Sequence, residues 1–390
     1  MEAKKIYEAR IKRVATTLNF QEPDMVPIMT MLGTWVAHHN GQSILDVDFD
    51  AAGLKAAYIR FARDFDFDAI SAPTACRWGA VYSCLGSTEF SFYNEKGVPH
   101  PGVQHIPRCN MEASEYPELI ADPYKFIVEK ILPRKYAALR APEPRRTMNL
   151  AKGAIAWFNY LQNVLRPTAF GIASECGLPI FFSSSTLMPM DVIADYFRGF
   201  EGVLMDVRRH RQELIDACDA LHPLMLATAI GGKEAEAYPT VFIPLHIPTF
   251  MKPKDFEDVY YPSFKRMLLD IIGAGRRPTL FMEGDWIPYA EFFQDLPKAA
   301  VVGMFEHGDH KVIKKRFGSV IGLVGGMPLQ TLNYGAKAEV VSLTRRLIDD
   351  MAPGGGWIFG FDKSWLAPND AKAENLQAAV ETVRTYGVYK

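Results

Sequence analysis

The chain has 390 residues, 48% of them hydrophobic, and its 43 basic against 45 acidic side chains give a formal net charge of −2. That length holds one large α/β barrel or two ordinary domains, and scattered basic residues at near-neutral charge exclude the electrostatic footprint of a nucleic-acid binder. No apolar run reaches the roughly 20 residues of a membrane span, and the charged start does not resemble a signal peptide, so the expectation is a cytoplasmic protein with no membrane partner.

In chain order, MEAKKIYEARIKRVATTLNF reads as a charged amphipathic helix, and VPIMTML and FDAISAP read as early strands. Residues 75–110 follow, rich in aromatics and glycines without a clear period. In a barrel, such an insertion builds a wall over the active site. From about residue 165, strand-length apolar runs alternate with stretches whose apolar residues recur every three or four positions. The strands are GLPIFFSSS, TVFIPLH, RPTLFMEGD, AVVGMFEHGD, SVIGLVGG and GGWIFGFD. Between them, Val192, Tyr196, Phe197, Phe200, Val203 and Leu204 share one helical face, and Phe256, Val259, Tyr260, Phe264, Met267, Leu268 and Ile271 share another. Gly273 and Gly387 stand where helix C-caps belong.

Near-continuous apolar strands followed by amphipathic helices mean a parallel sheet covered on both sides. With no G-x-G-x-x-G in a chain this long, the closed form is favoured. The expected fold is one (β/α)8 TIM barrel over residues 1–390, its N-terminal helix packed outside and the insertion over the C-terminal mouth. No internal repeat, low-complexity linker or composition break marks a second domain.

The C-terminal ends of those strands carry His246, Glu283, Asp285, Glu306, His307, Asp309, Asp362 and Lys363, which the barrel brings to one mouth. That is more ionisable chemistry than a rim needs, and it points to a metal or to acid/base catalysis. Nitrogen and oxygen donors from different strands suit zinc or another divalent cation with an open position, and His246, Glu283 and His307 are the expected ligands. Plainer readings stand beside these: loop packing for His246, a helix cap for His307 and Asp309, a local ion pair for Asp362 and Lys363. No H-E-x-x-H, G-x-S-x-G or phosphate loop supports a protease, a serine hydrolase or a nucleotide enzyme. The cysteines, Cys76, Cys84, Cys109, Cys176 and Cys218, form no C-x-x-C pair and read as reduced packing residues.

ARIKRVATTLNFQEPDMVPI, an arginine-bearing helix and a Pro-Asp pair leading into a Val-Pro strand, resembles the opening of the uroporphyrinogen decarboxylase superfamily. HIPTFMKPKDFEDVYYPSFKRMLLDI, MEGD, GLVGGMPLQTLNYGAKAEV and GGGWIFGFDKSWLAPNDAKAENLQAAVETVRTYG are similar to later superfamily segments, in the same order and over nearly the whole chain. Two departures narrow the resemblance. The decarboxylases of uroporphyrinogen carry an arginine-rich run after the first strand, where this chain reads IMTMLGTWVAHHNGQ, so a substrate with many carboxylates lacks its anchor. The thiol-directed methyltransferases bind zinc through a His-x-Cys pair and a further cysteine. Here Phe281 and Glu283 stand near the pair, Asp362 or Lys363 near the last position, and no cysteine follows residue 218.

The resemblance therefore implies a methyltransferase that moves a methyl group from a small methoxylated aromatic donor to the cobalt of a separate corrinoid protein, with metal assistance. No D-x-H-x-x-G motif is present, DHKVIK and LHIPTF being the nearest candidates, so the cobalamin belongs to a partner. Glu283, Asp362 and Lys363 are the expected catalytic groups. Trp78, Tyr82, Trp286 and Trp365, with Phe92, are expected to hold the donor. The alternatives are a decarboxylase acting on a smaller carboxylated substrate and a non-catalytic corrinoid-binding barrel.

Overall fold

The computed structural model describes residues 2–74, 78–91, 103–231 and 238–389. Eight parallel strands form the ring: β1 (Met29–Thr30), β2 (Ala69–Ile70), β3 (Phe182–Ser185), β4 (Thr240–Leu245), β5 (Arg277–Met282), β6 (Val302–Phe305), β7 (Gly322–Met327) and β8 (Trp357–Phe361). Each lies in a segment that the apolar runs mark as a strand. β3 to β8 pair in sequence order, and β1 pairs with β2 in a separate two-stranded sheet. Single parallel bridges, Ile28 to Phe359 and Ile70 to Ile180, join the two sheets into a ring. At these seams Phe359 N donates to Pro27 O at 2.9 Å and Phe181 N to Ile70 O at 2.7 Å.

Strand alternation sorts side chains between two cores. Met29, Ala69, Phe181, Phe281, Val302, Met304, Val324 and Ile358 fill the barrel, while Val241, Ile243, Leu280, Met282 and Phe359 face the helices. Val14 and Leu18 of α1 (Glu2–Leu18) enter the inner cluster, so the N-terminal helix closes the barrel floor rather than lying beside it. Arg10 and Arg13 fix it there: Arg10 bonds the Gly177 carbonyl at 2.9 Å, and Arg13 pairs with Asp24 and the buried Asp68.

The outer layer follows the βα rhythm through α2 (Ala51–Asp64), α3 (Arg145–Tyr160), α4 (Arg166–Cys176), α5 (Arg211–Ile230), α6 (Tyr261–Gly273), α7 (His310–Phe317), α8 (Lys337–Met351) and α9 (Ala373–Tyr386). After β5 the cover is a 3-10 segment, Ile287–Phe293, in place of a longer helix. Gly387 ends α9, whereas Gly273 is the last residue of α6 and its cap is Ala274.

The insertion between β2 and β3 is larger and more helical than the sequence suggests, because α3 belongs to it. Its anchor is a buried pair, Lys135 Nζ to Glu89 Oε2 at 2.7 Å. Lys135 also sits 3.9 Å from the centre of the Tyr196 ring, and Asn110 N donates to Phe197 O at 2.6 Å. The insertion thus packs on the turn after β3. Among the described residues no helix is long and apolar enough to cross a membrane.

Candidate functional site

The turn after β3 begins with Pro189–Val192, continues as a wide helical turn, Ile193–Phe197, and sets Asp191 and Asp195 one turn apart. Asp191 is fully buried, a position an acid occupies only when hydrogen bonds replace its water. It accepts from His246 N at 2.7 Å, Ile247 N at 3.0 Å and the Tyr260 hydroxyl at 2.6 Å. Even so, burial and the neighbouring Asp195 raise its pKa to about 6. Asp191 thereby fixes the backbone just past β4, and with it the direction of the His246 ring.

His246 joins two elements. Its Nδ1 lies 2.7 Å from Asp195 Oδ2, and its Nε2 lies 3.5 Å from Glu283 Oε1 at the end of β5. Burial alone would lower the imidazole pKa. The hydrogen bond to Asp195, with the charges of Asp195, Glu283 and Asp191, outweighs burial and raises it to about 9. His246 is therefore an imidazolium at neutral pH, with Nδ1–H donated to Asp195 and Nε2–H facing Glu283. The Glu283 carboxyl is raised, first by burial and then by Glu306 and the two aspartates, against the pull of His246.

Alternation along β6 decides what stands next to Glu283. Val302 and Met304 point into the barrel, so Glu306 takes the inward position and His307 the outward one. Glu306 Oε2 accepts from Gly284 N at 3.1 Å. That turn needs glycine: φ at Gly284 is +76°, and a Cβ there would lie 2.7 Å from Thr249 Oγ1. Asp362, past β8, accepts from Leu329 N at 3.0 Å and is raised chiefly by burial. Below these groups lies an apolar floor, with Phe182 and Phe242 rings 4.8 Å apart and Phe242 stacked on Phe281 at 6.4 Å.

A cavity of about 760 Å³ is lined by Glu306, His307 and Asp362 at the strand ends and reaches between α7 and α8 to Arg346. His307 is exposed on that outer side. His246 and Glu283 face each other, whereas His307 lines the cavity with Glu306 and Asp362. Among the described residues no three His, Cys, Asp or Glu side chains are grouped so as to hold a metal ion. The donors present do not fit the three-ligand sphere of a catalytic zinc.

The aromatic expectations are corrected too. Trp286 is fully buried behind the barrel wall against Phe256 and Phe293, and its Nε1 donates to Glu283 O at 3.0 Å. It braces Glu283 rather than touching a ligand. Trp365 is equally buried, edge-on to Trp35 at 5.2 Å and to Phe361 at 4.7 Å. Trp78 stacks on Tyr160 at 5.5 Å and Tyr82 meets Phe90 at 5.0 Å, so both contribute to the packing of the insertion. Phe92 lies outside the described residues. Lys363 is exposed, and Asp362 is half-buried beside the mouth.

Asp191 and Asp195 are the groups that residue-type reasoning passes over, while Glu306, named among the strand-end acids, is given no role by it. Two signals mark them: acids one helical turn apart within an apolar helix, and the in-out alternation of β6 carried two residues past its last apolar side chain.

A sequence model of the uroporphyrinogen decarboxylase (URO-D) family matches residues 180–386. A solved methyltransferase from Methanosarcina mazei superposes with a TM-score of 0.65, covering 97% of this chain and 98% of that one at 14% identity. At that identity the likeness shows a shared fold. No curated protein sequence matches the chain.

Proposed function

The chain belongs to the uroporphyrinogen decarboxylase family, and we propose that it is a methyltransferase, taking the methyl group of a small methoxylated aromatic and delivering it to the cobalt of a separate corrinoid protein. The likeness in fold to the archaeal methyltransferase supports the class of reaction. The observation that carries the chemistry is the chain Asp195–His246–Glu283, which holds a proton on an imidazole at the strand ends.

An aryl ether gives up its methyl group only if the departing oxygen is stabilised as the bond breaks. Cobalt(I), the methyl acceptor, supplies the electron pair of the new carbon–cobalt bond. The C–O pair leaves with the oxygen, and the His246 Nε2 proton moves onto it. A phenolate resembles the tyrosine side chain, with a pKa near 10, so an imidazolium at about 9 passes its proton slightly downhill. Asp195 keeps the ring oriented through Nδ1–H, Glu283 stabilises the charge before transfer, and solvent restores the proton.

Phe182, Phe242 and Phe281 give the donor ring an apolar bed. Glu283, Glu306 and Asp362 set carboxyl groups at the strand ends, an acidic surround that disfavours a substrate with many carboxylates. The test mixes the purified chain, a reduced corrinoid protein and a methoxylated aromatic. The cobalt(I) spectrum is expected to convert to that of methylcobalt(III) only when all three are present. Carbon dioxide released from a carboxylated substrate without corrinoid overturns the reading in favour of decarboxylation.

A further inference from the structure

The wide helical turn after β3 carries Asp195, the partner of His246 Nδ1. Its defining bond runs from Arg198 N to Ile193 O at 2.7 Å, five residues back, where an ordinary α-helix would pair Arg198 N with Ala194 O. The α register, one residue tighter, is the competitor of such a turn. Relaxing into it would turn Asp195 about the helix axis and take its carboxylate off the His246 ring. The insertion opposes that change at the end of the turn. Three consecutive residues there bond to two consecutive residues of the insertion: Asn110 Nδ2 donates to Tyr196 O at 3.1 Å, Asn110 N to Phe197 O at 2.6 Å, and Arg198 Nη1 to Met111 O at 2.8 Å.

Asn110 is itself fixed from behind. Its Nδ2 also bonds Glu89 Oε1, so two acceptors take both hydrogens of the amide nitrogen and set its orientation. Its carbonyl accepts from Arg134 Nη1 at 2.6 Å. Glu89 is neutralised by Lys135, whose ammonium lies over the Tyr196 ring, back on the turn. Asn110, Glu89 and Lys135 are all buried, so solvent does not replace a bond that is lost among them. We propose that Asn110 is a positioning residue for the proton chain. By pinning the end of the wide turn it keeps Asp195 against His246 Nδ1, and the insertion thereby sets the geometry of chemistry carried by the strand ends. The inference rests on the Asp195–His246–Glu283 chain proposed above and is independent of the methyl donor and of the acceptor.

Nuclear magnetic resonance of the full chain, with isotope-labelled histidine, tests it at the His246 Nδ1–H proton, whose far-downfield signal persists only while Asp195 shields it from exchange with water. The signal is assigned by its loss in His246→Gln. It is expected in the wild type, and its exchange is expected to be about ten- to a hundredfold faster in Asn110→Ala, from the loss of buried hydrogen bonds that hold the turn. Asn149→Ala removes a bond of the same kind elsewhere in the insertion, Asn149 Nδ2 to Ala138 O at 2.6 Å, and is expected to leave the exchange rate at the wild-type value. If Asn110→Ala does not fold, Asn110→Ser is read in its place, because a hydroxyl donates to only one of the two acceptors. A folded Asn110 variant that exchanges at the wild-type rate overturns the positioning role, as does an equal acceleration in Asn149→Ala, which would mean general loosening of the insertion. A wild type without the signal overturns the proton chain itself and this inference with it, so the two failures are told apart.

Discussion

The two arcs of the barrel are held together differently. From β3 to β8, strands of four to six residues pair through ladders of three to six residue pairs, with one register shift between Phe182 and Ser184 where β3 meets β4. β1 and β2 have two residues each and meet the rest through single bridges. His246, Glu283, Glu306 and Asp362 all stand on the regular arc, as do Asp191 and Asp195 just past β3, and the family match over residues 180–386 covers the same stretch. The other arc carries the insertion. A proton chain that depends on distances such as the 2.7 Å between Asp195 and His246 needs strand ends held by full ladders. A short arc tied by single bridges tolerates a long insertion.

The largest effect tests this division directly. His246→Gln is expected to lower the rate of methyl transfer by about 10²- to 10⁴-fold, the range for loss of a positioned general acid, with the melting temperature little changed. Glu283→Gln follows with a smaller loss. A loss in kcat as large for Trp78→Phe, in the insertion, would break the comparison, because it would place chemistry on the irregular arc.

Asp48 gives that arc its own signature. It is 2% exposed, its Oδ1 has no hydrogen-bond partner among the described residues, and burial raises its pKa to about 8. A carboxyl raised on folding contributes stability that is full below its unfolded pKa and lost as pH rises through about 8. Asp48→Asn is therefore expected to flatten the fall in melting temperature between pH 6 and 9, by about 2–5 °C at the alkaline end. Scanning calorimetry across that range checks it. Equal slopes for variant and wild type would mean the carboxyl is solvated.

The smallest effects belong to two residues on the regular arc that face outward. His307→Ala and Lys363→Ala, both exposed, are expected to change kcat/KM by no more than about twofold. A loss comparable to that of His246→Gln would return them to the site.

Most of the architecture is legible in the sequence, because apolar runs of strand length are a direct consequence of burial on both faces. All eight strand segments can be read this way, including VPIMTML, of which only Met29 and Thr30 form a ladder with β2. The site is legible in part. His246 and Glu283 stand out as ionisable groups ending apolar strands. Glu306 against His307 is a question of parity, settled only once Val302 and Met304 are known to point inward. Asp195 acts across 51 positions from His246, and nothing local to either residue announces the pairing. Trp286 and Trp365 mislead because a tryptophan beside a strand end serves a core as readily as a ligand, and here both are sealed behind the wall.

The central claim is that Asp195 and Glu283 hold His246 ionised at neutral pH. Nuclear magnetic resonance titration of histidine-labelled protein, with the His246 signal identified by its loss in His246→Gln, measures this without a substrate or a partner. The account predicts a midpoint near 9, falling toward the free value of 6.5 in Asp195→Asn. A wild-type midpoint at or below 6.5 would contradict it.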